Sequence, residues 1–208
     1  MILAISNRIE RLRLKVRSYM VDPSGVAAVE FGLIVPFLMI MFLGSVEYSR
    51  ATMYARRFNL ATAMASDLIA REYLLDDADL AGVARAVDTV WGSYDNLASL
   101  KLQVLHVRQA GNLATKKPPG TTYSEWSYSI RGAPSIPACQ NYTLPVANML
   151  QNGNSVLVVN GTYTYRTLFG LSAPGITSAN MNWTATSSHA PRDLCVAYNK
   201  ANCVTNCE

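Results

Sequence analysis

The sequence predicts an α+β protein. A long N-terminal helix crosses a membrane and continues as a stem, and a second helix and a small antiparallel sheet follow. Three observations predict this. An uncharged apolar run lies near the N-terminus. Apolar residues at spacings of three and four come after it. Beyond residue 98 the pattern turns to alternation with a period of two. Composition agrees. Of 208 residues, 50 % are apolar and 15 % charged, against about 25 % charged in ordinary soluble domains. The net charge of +4 is too mild to argue for a nucleic-acid partner.

Residues Phe31 to Val46 read FGLIVPFLMIMFLGSV, sixteen positions without a charge. Extending back to Val26 gives twenty-one residues interrupted by Glu30 alone. A bilayer core needs about 20 predominantly apolar residues in a helix. A buried core helix is the other reading, but a chain of this size has no second element able to cover such a helix all round. The leader, residues 1–25, carries Arg8, Arg11, Arg13, Lys15 and Arg17 against Glu10 and Asp22. That bias places the N-terminus in the cytoplasm, although Arg50, Arg56 and Arg57 follow the span. All four cysteines then fall in an oxidising compartment. A cleaved secretory signal fits poorly, because the run exceeds the usual ~7–15 residues. The expected plan is a leader over 1–25, a transmembrane helix over 26–46, a helical stem over 47–75 and an exported α+β domain over 76–208.

Glu30 is the informative residue. An ionised glutamate costs roughly 2.5 kcal/mol or more at the centre of a span and less near an interface. One reading is an interfacial glutamate that reaches toward water. The other is a charge awaiting a partner. A cut between Gly25 and Val26 would create an α-amino group at Val26, four residues before the carboxylate. The two could pair within a subunit or between neighbours, in a low dielectric that strengthens such a pair.

The segment Gly25-Val26-Ala27-Ala28-Val29-Glu30-Phe31, followed by an apolar run containing Pro36, resembles the type IV prepilin processing site. Within that superfamily, residues 24–50, which end in Glu47-Tyr48-Ser49-Arg50, are similar to the TadE-like proteins of tight-adherence (Flp-type) pilus systems. The resemblance implies cleavage after Gly25 by a prepilin peptidase. It implies a minor pilin or pseudopilin of the bacterial inner membrane, needed for pilus assembly and surface adherence. Its partners would be other pilin-like subunits and the assembly machinery, with no enzymatic activity and no cofactor. It does not separate TadE-type from TadF-type proteins. In the span itself, Gly32 and Gly44 permit close helix approach, and Pro36 removes a backbone hydrogen bond.

After the span, Ala51, Tyr54, Phe58, Ala61, Ala65 and Leu68 keep helical spacing to about Leu75. One helix over 26–75 would be near ~75 Å long at 1.5 Å per residue. Asp76, Asp77 and Asp79 then supply a helix start, and a second helix over 77–92 is expected to end at Gly92. Strands are expected from Leu100, over Thr122–Ile130, over Ser155–Leu168 and over Met181–Ser188, with a loop over 131–138 and a short helix over 144–152. Asn160-Gly161 is a hairpin signal. Alternation nevertheless continues straight through it, which favours one long strand with a local irregularity. His106 is expected to be a half-buried surface group.

Cys139, Cys195, Cys203 and Cys207 allow three pairings. One closes a small loop between Cys203 and Cys207 and leaves Cys139 for Cys195. The alternative links Cys139 to a tail cysteine. A zinc set of His189 with three cysteines has no recognised spacing, and no metal is expected. No nucleophile triad, paired carboxylates or phosphate loop is present. Asn141, Asn160 and Asn182 head glycosylation triplets by pattern alone. A second functional class remains open: a membrane-anchored adhesin or binding module whose contacts are Tyr123, Trp126, Tyr128, Tyr163, Tyr165 and Trp183. Ordinary sheet packing is the competing use of those aromatics.

Overall fold

The computed structural model describes residues 23–92, 99–112, 114, 116–146, 149–150, 153–168, 180–199 and 207. The basic residues of the leader lie outside them. The chain forms two compact units, Met1–Ser49 and Arg50–Glu208.

Helix α1 runs over Pro23–Ala70. Proline suits its first turn, where the missing N–H has no intrahelical partner anyway. Within the first unit α1 is the element described. Most of its large apolar side chains, among them Phe31, Leu33, Phe37, Ile40 and Phe42, are more than half exposed.

The second unit is α+β, as the sequence predicts. α1 stops at Ala70, five residues before the expected end at Leu75. Leu74–Leu75 instead form strand β1, which pairs in parallel with β6, Ala197–Tyr198. The Ala197 N–H donates to the Tyr73 carbonyl at 2.8 Å and the Asn199 N–H to the Leu75 carbonyl at 2.9 Å. Periodicity carries no trace of this, because the competing partner lies more than a hundred residues away. Helix α2 spans Asp77–Trp91. The Asp79 N–H donates to Asp76 Oδ1 at 2.8 Å, and the Asp76 N–H donates to Asp79 Oδ2 at 3.0 Å. This reciprocal capping box satisfies two otherwise orphaned donors. Gly92 ends the helix with φ +77°, a backbone angle that favours glycine.

Strands β2 (Leu100–Gln109), β3 (Thr122–Ile130), β4 (Ser155–Arg166) and β5 (Asn180–His189) form one antiparallel sheet in the order β3-β2-β4-β5. β4 passes unbroken through Asn160-Gly161, with continuous pairing to both neighbours. The expected irregularity is absent there. The register shift falls between His106 and Val107, where Glu125 is an extra residue in β3. The expected helix over 144–152 is not formed at its described residues. Leu144 and Leu150 instead pack on the outer face of the sheet, over Leu105, Val107, Val156 and Val158.

The main core lies between the inner face of the sheet and the two helices. Tyr54, Phe58, Ala61, Ala65 and Ile69 of α1 meet Leu80, Val87 and Trp91 of α2 and Leu102, Val104, Val159, Tyr163 and Tyr165 of the sheet. Tyr54 lies against Tyr163 and Tyr165. Phe58 and Thr62 lie over Gly161. Ser66 Oγ donates to Ser187 Oγ at 2.8 Å, and Ser187 is paired with Val159. This part of α1 therefore runs along β4 in the opposite direction. Gly161 is required by the seating, since a Cβ there would lie 2.7 Å from Thr62 Oγ1 and 2.9 Å from Phe58 Cε2.

Candidate assembly site on the N-terminal helix

The predicted processing residues lie in the first turns of α1. Gly25, Val26 and Glu30 are all exposed. Val26 and Glu30 are four residues apart in one helix, so they share a face about 6 Å apart along the axis. A positive group on Val26 and the Glu30 carboxylate would be neighbours in this geometry. Val26 is apolar and the face otherwise carries Leu33 and Phe37, so Glu30 is the polar exception on it.

The helix is long and apolar enough to cross a membrane. Its most apolar 18-residue window has a mean hydropathy of 2.4 and no buried residue. Exposed apolar side chains that no charge interrupts are stable facing lipid or another apolar helix. Pro36 lies inside the helix, so the carbonyl of Gly32 lacks its usual N–H donor four residues on. A Cβ on Gly32 or on Gly44 would meet nothing within 4 Å. Among the described residues no close packing is thus made at these glycines. The Ser45 hydroxyl donates to the Phe42 carbonyl at 2.8 Å, so it is satisfied along the helix itself.

The remaining predicted residues serve the second unit. Cys139 is bonded to Cys207, with Cα atoms 5.2 Å apart. The loop closure of Cys203 on Cys207 with Cys139 on Cys195 is thereby excluded, and the pairing of Cys139 with a tail cysteine is the one formed. Cys195 is also disulfide-bonded, and Cys203 lies outside the described residues. Thiols held in disulfides are not zinc ligands. Among the described residues no cluster of three His, Cys, Asp or Glu side chains is placed to hold a metal. Tyr123, Tyr163 and Tyr165 are buried, while Trp126, Tyr128 and Trp183 pack partly buried against the core. Half of the proposed adhesin contacts are therefore inaccessible.

His106 is wholly buried, not half-exposed. Its ring stacks on Trp126 with centroids 5.7 Å apart. Its Nε2 accepts from the Val196 N–H at 3.3 Å, which leaves the proton on Nδ1. That nitrogen lies 2.6 Å from Glu125 Oε2, in contact but without hydrogen-bond alignment. Glu125 also accepts from Arg108 Nε at 2.5 Å. The Trp126 indole N–H donates to the Val196 carbonyl at 2.8 Å. The bulge at Glu125 turns a charged side chain inward, where Arg108 balances it. His106 and Trp126 then hold the C-terminal segment from both sides of Val196. Sequence reasoning missed Glu125; the available signal was one acid in a strand otherwise built from Tyr, Trp, Thr, Ser and Ile.

Beside β1 and β6, the Tyr198 hydroxyl donates to Asp77. Burial, followed by that hydrogen bond and the Asp77 charge, pushes the phenol up to about 12. Arg71 pairs with Asp67 one turn away on α1 and holds the Asp67 carboxyl below its ordinary range.

Residues 25–67 match the family model described as TadE-like protein. The match covers the predicted processing segment, the apolar run and most of the predicted stem. No curated protein and no solved structure is similar to the chain.

Proposed function

We propose that this chain is a minor pilin or pseudopilin of a tight-adherence pilus system, anchored by α1 in the bacterial inner membrane with its C-terminal unit exported. The observation that carries the reading is the coincidence of two features on one segment. The TadE-like match over 25–67 falls on a helix whose apolar surface is uncovered. TadE-like pilus proteins are structural, and the work proposed for this one is packing between spans. A prepilin peptidase cuts after Gly25. The new Val26 amine and the Glu30 carboxylate then pair, within a subunit or between neighbours, and set the register. Gly32 and Gly44 let a neighbouring helix approach closely.

The test has two parts. Intact mass of the protein from cells making the whole system is expected to show a chain starting at Val26; a chain starting at Met1 would refute processing. Glu30→Ala is expected to spare insertion and cleavage and to reduce assembled pili. Normal pilus number in that variant would remove the role given to Glu30.

A further inference from the structure

We propose that the C-terminal segment 192–199 is a strap that acid releases, with His106 as its proton sensor. The strap joins the sheet to the end of the stem. On the sheet side, the Ser155 hydroxyl donates to the Leu194 carbonyl at 2.8 Å. Trp126 holds the Val196 carbonyl at 2.8 Å, and His106 Nε2 accepts from the Val196 N–H at 3.3 Å. On the stem side, the Arg192 N–H donates at 3.1 Å to the carbonyl of Ala70, the last residue of α1. The Ala197 and Asn199 N–H groups donate to Tyr73 and Leu75. β5 anchors the near end of the strap, and the bond of Cys207 to Cys139 anchors the chain beyond the far end. Release is therefore local and reversible. It uncovers the edge of β1 and frees the Tyr73 and Leu75 carbonyls.

The switch lies in what each ring nitrogen faces. The Val196 N–H needs a lone pair on Nε2. A proton added there sets two donors against each other across 3.3 Å. Val196 is 1 % exposed, so its N–H has no water to turn to while the strap is closed. At the other nitrogen the charged ring is provided for. Glu125 Oε2 lies 2.6 Å from Nδ1, and Nδ1 carries its hydrogen whether the ring is neutral or charged. Glu125 thus favours the charged ring, and the strap opposes it. The proton enters as the strap leaves. The open form binds one proton more than the closed form, so closure is complete at higher pH and is lost as pH falls. Imidazole is the side chain that ordinarily changes charge between about pH 5 and 8.

The surroundings leave this role to His106. β3 brings Glu125, and β2 itself brings Arg108, which donates to the second Glu125 oxygen at 2.5 Å. β4 brings the uncharged Leu157, paired with His106. The strap brings Val196 and Tyr198, whose phenol is pushed up to about 12 and stays neutral throughout the histidine range. Arg192 and Asp193, at the start of the strap, are exposed. Asp67 and Arg71 of α1 pair with each other at the surface. His189 of β5 lies beyond Leu157 and contacts Ser66 Oγ on the stem through Nδ1, at 2.6 Å. It is the other histidine of the chain, and the experiment separates the two.

The experiment is amide hydrogen exchange of the full chain in detergent, read residue by residue by NMR at about pH 7.5 and about pH 5.5 and corrected for the intrinsic rate. The Val196, Ala197 and Asn199 amides report the strap, and Leu157 and Val159 report the sheet. Protection of the strap is expected to fall about tenfold at the lower pH, the effect of one proton on a ring of ordinary strength once the strap is open. Protection of the sheet is expected to hold. His106→Gln keeps a donor and an acceptor but does not titrate, and its strap is expected to exchange equally at both pH values. His189→Gln is expected to keep the parent's response. Strap protection unchanged by pH in the parent would overturn the proposal. An equal fall in strap and sheet, a fall that survives His106→Gln, or one abolished by His189→Gln would do the same. Where His106→Gln does not fold, the ring-nitrogen signals of the parent decide. Charging of His106 and opening of the strap are expected to follow one titration curve, and separate midpoints would overturn the assignment.

Discussion

Replacing Gly161 by alanine tests the seating of the stem on the sheet. The added methyl would lie 2.7 Å from Thr62 Oγ1, 2.9 Å from Phe58 Cε2 and 3.1 Å from Phe58 Cζ. Neither neighbour yields at low cost. Phe58 is 2 % exposed and Thr62 1 %. The Thr62 hydroxyl is tied to the Phe58 carbonyl at 2.9 Å, and its β-branched side chain is stiff in a helix. The stem must therefore shift away from β4. Overpacking of this kind costs about 1–3 kcal/mol, against a gain of about 0.5–1 kcal/mol from removing a glycine within a strand. The middles of those ranges leave a net loss of about 1 kcal/mol. At roughly 2–4 °C per kcal/mol for a unit of this size, Tm falls by about 2–4 °C. Thermal unfolding of the full chain in detergent, followed by near-ultraviolet circular dichroism, measures it. Adding Thr62→Ala is expected to recover part of the loss, because one of the two obstructing side chains is gone. An unchanged or raised Tm in Gly161→Ala would refute the reasoning, since without the close approach alanine is the better strand residue.

Glu125→Ala removes the carboxylate that balances the partly buried Arg108 and takes the contact from His106; a loss of about 3–5 kcal/mol is expected in urea unfolding. Cys139→Ser opens a link between residues 68 apart, and the variant is expected to lose about 2–4 kcal/mol, read as the difference from the oxidised parent. The neutral Tyr198 phenol is favoured in the fold, with its value raised from 10.0 to about 12. Its contribution is therefore complete below pH 10 and is lost as pH rises through about 12. Alkaline titration followed by tyrosinate absorbance should show a late-ionising phase that is smaller by one tyrosine in Tyr198→Phe.

The parts legible in the sequence are those that local chemistry dictates. The apolar run from Phe31 to Val46 forces a helix suited to a membrane whatever lies elsewhere in the chain. The Asp76–Asp79 box starts α2 because its partners are three residues apart. Period-two alternation located four strands, including the passage of β4 through Asn160-Gly161. There the inward position needed no side chain, and Asn160 on the other face bonds Gln103, Tyr142 and Thr186. Tertiary structure decided the rest. β1 forms because β6 takes up the Tyr73 and Leu75 carbonyls. His106 is buried because the bulge brings Glu125 to it and Val196 crosses beside it. Cys139 reaches Cys207 because its loop is bonded to the β3 edge. The aromatics point inward because α1 and α2 cover that face of the sheet. Each of these depends on a partner distant in the chain, and period and propensity register only neighbours a few residues away.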